Sequence, residues 1–277
     1  MLSQNEKVEI RRRLMSVPIL VLLIVLGSVV GLFLLYVLYI FIVSRTVDTK
    51  KEYDKNSKYF RHLLYSGTGG CFRFGRIKIH VSGREKIPDG RFLMVSNHRS
   101  NFDPMITWQS FKDKDLAFIS KKENFSVPIY GRLIRKCCFM AIDRVDPRNA
   151  IKTINKASEL IKKDEVSIVI YPEGTRSKKS VLLPFHDGVF KIAQKAKVPV
   201  VVIVVRGTEQ VHKRFFFRRS DVYIDILETF PTQYVTSHTS HEISARAREL
   251  MIEALPEEQA RLKAEAESGA DVQMKNS

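Results

Sequence analysis

The sequence predicts an α/β protein, a mixed, largely parallel sheet with flanking helices, preceded by an N-terminal hydrophobic membrane-anchoring helix or helical hairpin. Three observations carry that reading. Beyond residue 75, short apolar runs of strand length alternate with helical patterns, as in sheets built with helical crossovers. One run, Val198 to Val205, is so rich in valine that a central strand is expected. Before residue 50 lies an apolar stretch long enough to need lipid.

That stretch runs from Val17 to Val43, broken by Pro18, Gly27, Ser28 and Gly31, with Tyr36 and Tyr39 near one end. As one helix it would reach about 40 Å against a hydrocarbon core of about 30 Å, so it can span with tilt or bend at Gly27-Ser28. It exceeds a signal-peptide core, and Ser44-Arg45-Thr46 offers no small-x-small cleavage site, so the anchor is expected to stay attached. Lys7, Arg11, Arg12 and Arg13 precede it and Arg45, Lys50, Lys51 and Lys55 follow it. Charge bias therefore leaves a single span and a re-entrant hairpin both open. The expected organisation is an anchor over 1–50, one α/β domain over 51–254 and a flexible charged tail over 255–277.

Within the domain, residues 76–81 alternate polar and apolar as a half-exposed strand, and after the turn Ile87-Pro-Asp-Gly90, Phe92 to Ser96 reads as a buried one. A helical pattern follows Asp103-Pro104 through Trp108 and Phe111. Short apolar runs stand at Leu116–Ser120 and Phe139–Ile142. From Asn149 to Lys163, Ile151, Ile154, Ala157, Leu160 and Ile161 recur at three- and four-residue intervals, an amphipathic helix with a lysine-rich outer face. Val166 to Tyr171 is a buried strand, Val189 to Lys197 a short helix and Ser240 to Ala254 a terminal helix.

Forty-six Lys and Arg against 30 Asp and Glu give a net charge of +16, which favours an anionic partner: a phosphate-bearing substrate, nucleic acid or an anionic bilayer. The basic residues are dispersed and form no nucleic-acid-binding motif, so no nucleic acid is expected as partner. A membrane-tethered nucleic-acid-binding protein is the reading from a different class. Cys71, Cys137 and Cys138 show no Cys-x-x-Cys, and no His cluster has metal-ligand spacing. A reduced, cytosol-facing domain without a metal site is expected, with Cys137 and Cys138 as small buried residues.

Two segments carry chemistry. Asn97-His-Arg-Ser-Asn-Phe-Asp103 follows a buried strand and precedes a helix, which puts His98 at a strand end, where α/β proteins expose ligand-binding groups. A histidine that carries a proton needs a partner on its other ring nitrogen, and Asp103 stands five residues on. The plainer alternative has Asp103 capping the helix and His98 locally satisfied. The second segment, Tyr171-Pro-Glu-Gly-Thr-Arg-Ser177, also follows a buried strand. Its Gly174, Thr175, backbone N–H groups and Arg176 suit an anionic oxygen cluster, although an ordinary turn with a solvated Arg fits too.

Together Asn97-His98-x4-Asp103 and Pro172-Glu-Gly-Thr-Arg-Ser177 resemble the glycerolipid acyltransferase family, in its 1-acylglycerol-3-phosphate O-acyltransferase branch. Ser120-Lys-Lys-Glu123 with Val127-Pro-Ile-Tyr-Gly131 and Ile142-Asp-Arg144 resembles the family's acceptor-binding block, and Leu183-Pro-Phe-His-Asp-Gly188 with Val198-Pro-Val200 its last segments. The resemblance covers roughly residues 75–210. It implies that residues 51–254 are an acyltransferase domain in which His98 deprotonates the acceptor hydroxyl and Asp103 orients the ring. By the same resemblance Lys122, Arg144 and Arg176 meet the acceptor phosphate, with Glu173, Gly174 and Thr175 shaping the site. The implied reaction moves a fatty acyl group from acyl carrier protein or coenzyme A to the 2-hydroxyl of 1-acylglycerol 3-phosphate, giving phosphatidic acid. The thioester is a co-substrate, and no cofactor is expected.

The resemblance leaves other acceptors open: glycerol 3-phosphate, another lysophospholipid or an acylated amino acid. Expected partners are the lysophospholipid, the acyl thioester, the bilayer and acyl carrier protein. The expected location is the cell membrane, a bacterial inner membrane with the catalytic domain facing the cytoplasm. His186-Asp187 departs from the basic pair of relatives, and neither is assigned to catalysis. His62, His80, His212, His238 and His241 lie outside the motif blocks and read as surface or structural. Lys213 to Arg219 mixes basic and aromatic side chains and is expected against the bilayer surface.

Overall fold

The computed structural model describes residues 4–142, 147–177, 181–214 and 218–259, without the side chains of residues 4–16 and 147. The chain divides into two units, Met1–Asp48 and Thr49–Ser277. The first is one helix, α1 (Gln4–Arg45), continuous through Pro18 and through Gly27-Ser28, where the Ser28 hydroxyl donates to the Ile24 carbonyl at 2.8 Å. Its stretch Val17–Arg45 is long and apolar enough to cross a membrane. A single helix thus replaces the bend and the hairpin that the glycine positions left open.

The second unit is built on a seven-stranded sheet, in the order β1-β7-β6-β2-β5-β3-β4 among the described residues. Its strands are β1 (Ile77–Ser82), β2 (Leu93–Ser96), β3 (Leu116–Lys121), β4 (Met140–Ile142), β5 (Ser167–Ile170), β6 (Val200–Arg206) and β7 (Ser220–Phe230). Every pair is parallel except β6 with β7, so the sheet is mixed and largely parallel as expected. Strands β2 and β5 are buried throughout and β6 up to Arg206, the burial that an unbroken apolar run implies.

The helices of this unit are α2 (Lys58–Phe74), α3 (Asp103–Ser110), α4 (Tyr130–Lys136), α5 (Pro147–Lys162), α6 (Lys191–Ala196), α7 (Val211–Arg214), α8 (Thr232–Ser237) and α9 (Ser240–Ala254). Helix α9 has the bounds its pattern predicts. Thr239 closes its start as a capping box: the Thr239 hydroxyl accepts from the Glu242 N–H and the Glu242 carboxylate from the Thr239 N–H. In α5 the expected apolar face is buried at Ala157, Leu160 and Ile161 and fails at its first position. Ile151 is 56% exposed, and Thr153 turns inward instead, donating to the Ala141 carbonyl at 3.0 Å. The expected helix Val189–Lys197 is a 3-10 turn at Asp187–Phe190 followed by the single turn and a half of α6.

The tail expected from residue 255 does not begin loose. Leu255 and Glu258 are fully buried. Residues 260–277 lie outside the described residues, as do Phe215–Phe217 of the segment expected against a bilayer. Cys137 and Cys138 are buried, and burial pushes each thiol up to about 12, which keeps them protonated near neutral pH.

Between β3 and α4 the chain doubles back so tightly that a side chain at Gly131 would put a Cβ 2.4 Å from the Phe125 carbonyl oxygen. That neighbour is backbone and cannot swing away. Gly131→Ala is therefore expected to cost about 1–3 kcal/mol, read as a lower denaturant midpoint at unchanged m-value; an unchanged midpoint would contradict the close approach.

Candidate active site

Neighbouring strands β2 and β5 pair in parallel, so their following loops leave from the same sheet edge. The crossover from β2 leads to β3 on one side and that from β5 to β6 on the other. Ligand crevices form at such divergences. His98 lies just after β2 and Glu173 just after β5.

Asn97 sets the direction of the first loop. It is buried, its side-chain N–H donates to the Val205 carbonyl at 3.0 Å, and its side-chain oxygen accepts from the Val205 N–H at 2.8 Å. One amide side chain thereby continues the β2–β6 pairing past the end of β2 and frees the main chain to turn. The next residue, His98, stacks on Tyr171 with ring centroids 4.3 Å apart and an interplanar angle of 21°. Its side chain keeps 15% exposure.

The histidine Nδ1 bonds Asp103 Oδ2 at 2.7 Å. The same oxygen accepts the backbone N–H groups of Arg99 and Ser100, each at 2.7 Å, while the Asp103 side chain is 1% exposed. These donors precede Asp103, so the carboxylate organises the loop behind it rather than capping the first turn of α3. With Nδ1 carrying its proton toward the carboxylate, Nε2 is the nitrogen left as a base; it has no hydrogen-bond partner among the described residues.

Glu173 ties the two loops together. Its Oε1 accepts the His98 N–H at 2.6 Å and its Oε2 the Leu183 N–H at 2.9 Å, and the residue is buried. Burial pushes its carboxyl up to about 7, against the two backbone donors, which pull the other way. Gly174 follows at φ +67°, where an added Cβ would also stand 3.0 Å from the His186 ring. The Ser177 N–H donates to the His98 carbonyl at 2.8 Å, which ties the segment bearing exposed Thr175 and Arg176 to the histidine loop.

The structure thus joins His98, Asp103 and Glu173 by direct hydrogen bonds, with Gly174, Thr175 and Arg176 on the adjoining loop. Lys122 stands exposed just beyond β3 and bonds to none of them. Arg144 lies outside the described residues. Asn97 and Tyr171 stood inside the predicted segments without roles, and the signal for both was their place at a buried strand's end. Of the histidines outside the motif blocks, His80 pairs with Asp221 at 2.7 Å and His241 with Asp187 at 2.8 Å.

A family model described as Acyltransferase matches residues 78–206. The 1-acyl-sn-glycerol-3-phosphate acyltransferase of Saccharomyces cerevisiae is 31% identical over 206 residues, 71% of this chain and 68% of that protein. The chloroplastic 1-acyl-sn-glycerol-3-phosphate acyltransferase BAT2 of Brassica napus is 34% identical over 164 residues, 57% of this chain; the match spans about half of that relative's length (46%). The crystal structure of the 1-acyl-sn-glycerophosphate (LPA) acyltransferase PlsC from Thermotoga maritima superposes with a TM-score of 0.59 at 26% identity, covering 73% of this chain and 81% of that one. With an α/β sheet that brings the histidine, the aspartate and the Glu-Gly-Thr-Arg turn to one edge, the chain belongs to the glycerolipid acyltransferase family, in its 1-acylglycerol-3-phosphate O-acyltransferase branch.

Proposed function

We propose that this protein is a 1-acylglycerol-3-phosphate O-acyltransferase in which His98 is the general base. It transfers a fatty acyl group from a thioester to the 2-hydroxyl of 1-acylglycerol 3-phosphate, giving phosphatidic acid. The observation that carries the mechanism is the bond from His98 Nδ1 to a buried Asp103 carboxylate, which leaves Nε2 open on a partly exposed ring. As the acceptor oxygen attacks the thioester carbonyl carbon, its proton passes to Nε2, and Asp103 stabilises the imidazolium that forms. Collapse of the tetrahedral intermediate breaks the C–S bond, and the imidazolium returns the proton to the departing sulfur. The products are an ester and a free thiol, with no acyl-enzyme on the way.

Arg176, Lys122 and Arg144 meet the acceptor phosphate in this reading. Arg176 is exposed on the loop bonded to the His98 carbonyl through Ser177, which supports its assignment. Lys122 rests on its place at the end of β3, beside β5 in the sheet, and Arg144 on the sequence resemblance. Glu173 and Gly174 shape the turn that holds these groups. The donor is acyl carrier protein or coenzyme A, which present the same thioester to the same base. Helix α1 supports membrane association; we assign the protein to a bacterial inner membrane with its catalytic domain on the cytoplasmic face, where such donors reside.

Release of free thiol from an acyl donor, by purified protein in lipid or detergent with 1-acylglycerol 3-phosphate as acceptor, tests the reading. His98→Ala is expected to lower kcat by about 10²–10⁴-fold with the fold intact; acceptor-dependent release at the wild-type rate would overturn the assignment. Glycerol 3-phosphate in place of the lysophospholipid is expected to give little release, and preference for it would move the acceptor assignment.

Glu173 gives a pH-dependent prediction. Its folded carboxyl sits at about 7, above the ordinary 4.5, so the folded state binds the proton more tightly than the unfolded one. That contribution to stability is present at low pH and is lost as pH rises from about 4.5 through about 7. Thermal midpoints should show the wild type losing ground to Glu173→Gln across that window and not beyond it. A constant difference over the window would contradict the raised carboxyl.

A further inference from the structure

The chain just beyond α9 reaches back to both loops of the candidate site. Arg99, next to His98, has a side chain only 4% exposed, and its guanidinium forms a two-pronged ion pair with Glu257: Nη1 to Oε1 at 2.9 Å and Nη2 to Oε2 at 3.3 Å. The Glu257 side chain is 46% exposed, so the burial belongs to the arginine side of the pair. Glu258, fully buried, accepts the Leu182 N–H. The following N–H, that of Leu183, is the donor to Glu173 Oε2.

We propose that Glu257 and Glu258 form a positioning clamp for the catalytic histidine, one acid holding each of the two loops that converge on it. The proposal rests on the acyl-transfer reading above. Through Glu257 the clamp fixes Arg99, whose backbone N–H is one of three donors on Asp103 Oδ2. Through Glu258 it fixes the strand of loop that orients Glu173, whose other oxygen holds the His98 N–H. Each acid acts on the base through a chain of two hydrogen-bonded groups.

The physical reason for a paired acid is the burial of Arg99. A guanidinium out of water is costly unless a carboxylate meets its fork, and a two-pronged pair fixes orientation as well as charge. Losing Glu257 removes the two-pronged contact that orients this guanidinium, and the main-chain N–H of Arg99 shifts with it. The bond from Arg99 also holds the Glu257 carboxyl below its ordinary range. The turn that presents the acids is itself anchored: the Glu258 and Gln259 N–H groups donate to the Leu255 carbonyl at 3.0 and 3.1 Å, and the Gln259 amide donates to the Ile252 carbonyl at 3.1 Å. Leu255 packs fully buried beneath them.

A positioning role and a merely structural one differ in what they move. The test measures thiol release by the full chain, with kcat, KM for both substrates and the thermal midpoint, for Glu257→Ala, Glu257→Gln, Glu257→Asp, Glu258→Met and Arg99→Gln/Glu257→Gln, beside Arg99→Gln and His98→Ala. The clamp predicts that Glu257→Ala lowers kcat about 10- to 100-fold, since small misplacements of a base cost that much, with both KM values within about twofold. Glu257→Asp, which keeps the charge, should recover most of the loss, and the double variant should be no slower than the slower single one. Wild-type kcat in folded Glu257→Ala, or a loss that only follows the folded fraction, would overturn the clamp. If the alanine variant does not fold, Glu257→Gln and Glu258→Met, which removes the acceptor for the Leu182 N–H, at wild-type kcat would overturn it equally. A His98→Ala enzyme as active as the wild type would overturn the acyl-transfer reading instead, a result told apart by the identity of the variant.

Discussion

One carboxylate oxygen, Asp103 Oδ2, gathers the ring N–H of His98 and the backbone N–H groups of Arg99 and Ser100, all at 2.7 Å, in a place closed to water. Two consequences come from that single acceptor. The loop after β2 is wound around it, so the histidine cannot drift from the sheet edge. The ring is fixed by its Nδ1, which leaves Nε2 as the nitrogen without a hydrogen-bond partner among the described residues. The second oxygen, Oδ1, is buried without a hydrogen-bond partner among the described residues.

The neighbouring groups are arranged around that contact rather than independent of it. Asn97 ends the ladder so that the loop can begin. Tyr171 lies flat against the imidazole and closes one of its faces. Glu173 joins the loop after β5 to the loop after β2 through His98's own N–H. An activated thioester asks little more than a placed base, a placed acceptor and anion-binding groups. The sheet supplies the placement through two adjacent parallel strands, and the exposed Thr175 and Arg176 face the solvent side of the same turn.

Much of this was legible because the informative residues are local. Buried strands read as unbroken apolar runs, so β2, β5 and β6 were visible, and the His98 and Asp103 pair needs only a five-residue turn. Glu173 was visible as part of a turn, but its bonds to His98 and Leu183 span separate elements and have no periodic signature. Helix α2 was missed because its inward face mixes Phe60, Leu63 and Leu64 with the buried Arg61, which donates to the Leu116 carbonyl at 2.8 Å. Strand β7 alternates as residues 76–81 do, and what hid it is Asp221, Asp225 and Glu228, residue types depleted in strands. The built-in start of the tail was hidden too, since Glu257 and Glu258 read as solvated charge until Arg99 and the Leu182 N–H are placed beside them.

General-base action by His98 depends on which nitrogen bears the proton when the ring is neutral. Nitrogen-15 chemical shifts of the imidazole in histidine-labelled protein report it, with the His98 signals assigned by their loss in His98→Gln. The expected result is a protonated Nδ1 and an unprotonated Nε2, a preference that weakens in Asp103→Asn. A neutral ring protonated at Nε2 in the wild type would contradict it, because the nitrogen facing the acceptor would then have no lone pair to offer.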